Sequence, residues 1–224
     1  SPQQQSYLGF RDKYDQWDDI SDDYARETQQ IVERQWREIQ RSVDYERLDE
    51  DTKLSYQLFE YNTRLRQQAF RYRFHNYPVD QMNGMQSAVP AFLINIHPSQ
   101  SDEDMEAYVT RLTGVEALFE QLIVNLKMRA EKGVVIPLFV FHHVISDSQN
   151  IISGKPFSDS NEDSTLLADF KEKVNRLEIN ANSKSELIDK AEVALLESVQ
   201  PAYEKLIEYL AELERQAGSD DGAW

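Results

Sequence analysis

The stretch from Ser101 to Lys132 constrains this chain more than any other. Its apolar residues Met105, Tyr108, Leu112, Val115, Phe119, Leu122 and Leu126 alternate three and four apart, which holds them on one helical stripe. Val109 and Ile123 widen that stripe towards a globular core. Ser101 is placed to cap the first free amides, with Asp102, Glu103 and Asp104 at the positive end of the macrodipole. Lys127, Arg129 and Lys132 sit at the other end, and Gly133 supplies the stop. The spacing predicts one helix of roughly 45 Å, the spine of the fold.

The rest of the chain also reads as helix. Residues 1–20 are a polar lead-in whose Tyr7, Leu8, Phe10, Tyr14 and Trp17 are too many for a free tail and are expected to dock on the body. Ser21 caps a helix that runs to about Val43, and a second starts near Asp49 with an inward stripe of Leu54, Leu58, Tyr61, Leu65, Ala69 and Tyr72. The two form an antiparallel hairpin. Arg64, Arg66, Arg71 and Arg73 are expected to pair with its acidic first helix. Asn83-Gly84 marks a turn that tolerates positive φ. After it, Met85 to Ile96 is a short apolar helix with Pro90 in its first turn, threading beneath the spine.

Val134 to Phe141 is β-branched and aromatic enough for a buried strand, but Pro137 would forfeit a ladder bond and starts a helix well, so helix is expected from Pro137 to Ile152. Residues 153–164 form an exposed loop, the best internal place for proteolysis. Helix returns over Thr165 to Leu177. Ser183 and Glu186 then make a capping box for a last helix to about Ala217, kinked at Pro201. Residues 218–224, with a turn at Asp220 to Gly222, read as a truncated linker towards a missing C-terminal part. The whole is an all-α, multi-helix bundle of long antiparallel helices, its domain spanning 21–217.

Charge and composition close off other classes. A formal charge of −16 over 224 residues repels nucleic acid, because neutralising phosphate takes a basic surface. Either the acidic surface is simply solvated, or it attracts cationic peptides or divalent ions. Without a single cysteine, disulfides and thiolate-bound zinc are excluded. No run approaches the roughly 18 apolar residues of a membrane span. The chain opens on Ser1 rather than Met, as after removal of a signal or lipoprotein leader, or in an expressed segment.

No catalytic residue stands out. Asn83 and Gln86, at the Asn-Gly turn, offer amide donors to a ligand, with a structural turn as the simpler role. Arg111 lies near Glu116 and Asp104; an internal ion pair competes with a clamp on a substrate carboxylate. His142 and His143 are adjacent and point about 100° apart on a helix, so one is expected to pack while the other is exposed. His75 and His97 flank turns as capping groups. Ser146 to Ser148 with His143 lacks a third group and an oxyanion hole. Asn83, Gln86, Arg111 and His142 are therefore the candidate substrate contacts, with no metal ligand among them.

Several stretches, taken together, resemble the bacterial Domain of Unknown Function 885 family. They are Leu8-Gly9-Phe10, Tyr77 to Gln86, Asp104 to Asn125 with its Tyr-Val-Thr-Arg-Leu core, and Gly133 to Val140; Gln200 to Tyr203 and Asp221 to Trp224 complete the set. The resemblance implies the N-terminal portion of a protein more than twice as long. Its helices would be one wall or lid of a larger metallopeptidase-like helical fold. Zinc would then belong to a later His-Glu stretch, where it would activate water with a glutamate as base; this chain carries no cofactor of its own, since none of its four histidines is followed by Glu or has Glu three positions away. The implied partners are the missing C-terminal part and peptides. Many members are predicted lipoproteins, which implies a lipid anchor upstream of Ser1 and a periplasmic or cell-surface location. A stand-alone acidic binding module is the other reading, and it expects a surface without a large apolar patch.

Overall fold

The computed structural model describes residues 1–217. They form ten α-helices: α1 (Pro2–Tyr7), α2 (Asp22–Ser42), α3 (Glu50–Phe70), α4 (Met85–Asn95), α5 (Asp102–Thr113), α6 (Val115–Ala130), α7 (Leu138–Ile151), α8 (Thr165–Arg176), α9 (Ala181–Ala194) and α10 (Gln200–Gln216). Among the described residues the only β-type pairing is an isolated bridge between Lys155 and Asp163. The all-α expectation holds. The turn read at Asp220 to Gly222 and the closing motif at Trp224 lie outside the described residues.

The core is shared by the helices from α4 onwards. Helix α10 packs along α6 and α7, α9 along α5 and α8, and α4 along α7 and α8. Met105, Tyr108, Phe119, Leu122, Phe141, Phe170, Leu195 and Leu206 are fully buried where these helices meet. Each such side chain contributes about 1.5–3 kcal/mol by leaving water. The short helix α4, expected beneath the spine, lies chiefly against α7 and α8 and touches α5 through Phe92.

The spine is two helices, not one. It breaks at Gly114, where an added Cβ would lie 3.0 Å from Trp17 Cδ1. The Trp17 indole N–H donates to the Arg111 carbonyl at 2.7 Å, claiming an acceptor of the helical ladder. Ser198 bridges the gap from the other side: its hydroxyl donates to Thr113 O at 2.8 Å and accepts the Glu116 N–H at 3.0 Å. Ser198 can reach because the chain there is a π-helical turn, Leu195–Val199, with the Gln200 N–H bonded to Leu195 O. That turn immediately precedes Pro201, so the single helix expected up to Ala217 is divided into α9 and α10 at this point.

Other boundaries moved for identifiable reasons. Asn180, not Ser183, caps α9, accepting the Ser183 N–H at 2.9 Å. Pro90 is the sixth residue of α4, not in its first turn. Gly84 has φ −65°, so it is not there for a left-handed conformation; a Cβ would instead fall 2.4 Å from Asp80 N. The 153–164 loop is tied at its neck, Lys155 N–H to Glu162 O at 2.8 Å and Ser164 N–H to Lys155 O at 2.8 Å, while Phe157 packs on the core.

The hairpin of α2 and α3 forms as expected, Ser21 and Asp49 capping its helices, but its buried seam is not the predicted one. Trp36 meets Tyr56 and Phe59 at ring separations of 5.3 and 5.8 Å, with Thr63 buried beside them. Leu54, Leu58, Tyr61, Leu65 and Tyr72 lie on the opposite face, between 51% and 64% exposed. Of the four arginines, Arg73 pairs with Asp22 across the hairpin at 2.6 Å. Arg64 turns to Glu60 on its own helix.

Candidate functional site

The densest polar cluster lies under the lead-in, around Arg111. This guanidinium is wholly buried and, contrary to the expected pair with Glu116 or Asp104, none of its hydrogen bonds goes to a carboxylate. Nε and Nη2 donate to Gln16 O at 3.2 and 3.1 Å, Nη2 also to Ser6 Oγ at 2.9 Å, and Nη1 to His97 Nδ1 at 3.0 Å. Its planar cation lies over the Phe92 ring at 4.6 Å and the Trp17 ring at 5.5 Å. Burial lowers its pKa to about 10, so it stays charged at neutral pH.

His97 is a buried bridge rather than a cap. Because arginine can only donate, Nδ1 is the acceptor, and Nε2–H donates to Asp104 O at 2.9 Å. That pair of partners selects the neutral imidazole. Burial pushes its pKa down to about 4, assisted by the nearby Arg111 cation. Tyr14 stacks on the ring at 5.8 Å, and Tyr108 meets it edge-on at 5.1 Å.

Asp104 turns outward to Arg11, which clasps it with Nε at 2.8 Å and Nη2 at 2.9 Å. Burial opposes its charge, yet Arg11 and the Gln100 amide together hold its carboxyl below the usual range. The lead-in is thus pinned at Ser6, Arg11, Gln16 and Trp17, positions a sequence pattern does not reveal because their partners lie 93 to 105 residues away. As for its aromatics, Trp17 and Tyr7 pack on Phe92, whereas Leu8 and Phe10 stay exposed.

The four candidate contacts are not brought together. Arg111 is out of reach of a ligand while the lead-in covers it. Gln86 is buried at the start of α4, its Nε2 donating to Asp80 O at 2.6 Å. Asn83 is exposed in the turn held by Asp80 Oδ1, which accepts the Met82 and Asn83 amides at 2.6 Å. His142 lies on α7 beside His143, the rings 5.7 Å apart and both exposed, contrary to the expectation that one packs. No group of three His, Cys, Asp or Glu side chains suited to a metal occurs among the described residues. A groove of about 670 Å³ between the start of α2 and α6 is lined by Asp22, Asp23, Arg26, Glu120 and Val124.

Among the described residues no helix is long and apolar enough to cross a membrane. The model of a bacterial protein family of unknown function, DUF885, matches residues 2–223. Among solved structures, the putative lipoprotein from Colwellia psychrerythraea superposes with a TM-score of 0.82 at 16% identity, over 99% of this chain and 40% of that one. The chain therefore spans two-fifths of the length of that protein. No curated protein matches.

Proposed function

This chain belongs to the bacterial DUF885 family, and from that premise we propose that it is the non-catalytic N-terminal helical region of a longer, zinc-dependent peptidase-like protein. The observation that carries the reading is one of proportion: a fold matched over 99% of this chain fills only 40% of the solved neighbour. The longer protein takes its zinc and its reacting groups from residues beyond these 224, and peptides are its substrates. These helices supply a wall of the cleft, with the lead-in locked over Arg111 to stiffen it. A lipid-anchored position at the periplasmic face or cell surface is consistent with the description of the neighbour as a putative lipoprotein.

The test compares the product of the full reading frame with this chain. The longer protein is expected to retain zinc by elemental analysis and to cleave members of a peptide library, losing that activity on chelation. This chain by itself is expected to do neither. A reading frame that stops at Trp224, or hydrolysis by the isolated chain, overturns the proposal in favour of a stand-alone module.

A further inference from the structure

Helix α3 has two apolar faces, and among the described residues only one is covered. The bare one, Leu54, Leu58, Tyr61 and Leu65, recurs at intervals of four, three and four, the pattern of a helix–helix seam. Apart from Lys53 and Glu60, which pair within the helix with Glu50 and Arg64, its charges are divided end to end: Asp49, Glu50 and Asp51 open the helix, and Arg64, Arg66 and Arg71 close it. At 100° per residue, Asp51 and Arg66 fall on one flank of the stripe, Glu50 and Arg71 on the other.

The geometry points to a second copy of this chain as the occupant, two α3 helices packing antiparallel about a twofold axis. Placing Leu54 against Leu65 of the second copy also places Leu58 against its Tyr61, so four apolar layers close at once. In an antiparallel pair each flank meets its own counterpart. Asp51 then comes within two residues of Arg66 of the second copy, and Glu50 within two residues of its Arg71. Within the chain, Asp51, Arg66 and Arg71 form no ion pair among the described residues; the pairs nearby are Glu50–Lys53 and Glu60–Arg64. Parallel packing would set acid on acid and arginine on arginine. An anionic membrane would be repelled by the acidic half of the stripe. The downstream part of a longer protein is the competing occupant, but nothing about it requires this self-matching register.

Sedimentation velocity on the full 224-residue chain tests the pairing. The mass is expected to rise reversibly with concentration from 26.2 kDa towards twice that value. Leu58→Glu combined with Leu65→Glu should leave a monomer with an unchanged circular dichroism spectrum, since both leucines are exposed, and a melting point that no longer depends on concentration. Asp51→Arg or Arg66→Glu alone, each altering two symmetric pairs, should weaken dimerisation by about fivefold, and the two together should restore it. A monomer at every concentration, a dimer that survives the leucine changes, or charge swaps without mutual rescue would each overturn the proposal.

Discussion

The hydroxyl of Tyr203 donates to the carbonyl of Gln86 at 2.6 Å, and Gln86 is the residue whose helical partner is lost because Pro90, four positions on, has no amide. A phenol on α10 thus completes the ladder of α4. Burial raises the Tyr203 pKa, so the group is a neutral donor across the accessible pH range. Tyr203→Phe should cost about 1–3 kcal/mol by leaving a buried acceptor unpaired. Urea unfolding checks this. Adding Pro90→Ala to Tyr203→Phe supplies the missing amide and should recover part of the loss, whereas additive damage would refute the link.

Ser198 holds two backbone groups at the break in the spine, the Thr113 carbonyl and the Glu116 amide. Ser198→Ala should therefore cost more than a lone hydroxyl on a helix, about 2 kcal/mol. The expected signature is faster amide exchange confined to the α5–α6 junction and the π-turn. Uniform protection would mean the bridge does not hold the junction.

Arg111→Lys keeps the charge but loses the fork that reaches Gln16 O, Ser6 Oγ and His97 Nδ1 together. The expected loss is about 2–4 kcal/mol. Because those bonds hold the lead-in, residues 1–18 should exchange first. Hydrogen exchange with mass-spectrometric readout resolves that segment from the bundle.

His97 makes stability fall in acid. Unfolded, it takes a proton near pH 6.5; folded, it resists until about 4. Between those values the unfolded state holds more protons, so stability drops as pH falls through the window. The full loss is on the order of 3 kcal/mol. Asp104, held below its ordinary 3.8, adds its own loss only at lower pH. Unfolding measured near pH 7 and near pH 4.5 should show a steeper fall for the native chain than for His97→Gln, whose amide cannot titrate.

Much of this architecture was legible. The caps at Ser21 and Ser101, the helix start near Asp49 and the helix after Pro137 follow from local chemistry that a few residues contain. The break at Gly114 does not. A glycine inside a helix costs only about 1 kcal/mol, and what divides the spine is Trp17 and Ser198, brought in from distant sequence. The α3 stripe misled for a different reason: periodicity shows that a face is apolar, not that anything in the same chain covers it. Arg111 differs likewise. Acids at helical spacing were the obvious partners, but the polar atoms that engage it come mainly from the lead-in, which has no pattern to read. Asn83, Gln86 and His142 offer polar groups by residue type, and residue type does not determine convergence.

The neck of the 153–164 loop has a practical meaning. Lys155 is bonded to Glu162 and Ser164 across it, and its flanks run straight into α7 and α8, whose faces are locked in the core. A protease that severs the loop at its tip should therefore yield two pieces that elute as one particle and separate only in denaturant. The same tip is a natural seat for an inserted reporter, since the lengthened crossover would hang from a gate already shut behind it.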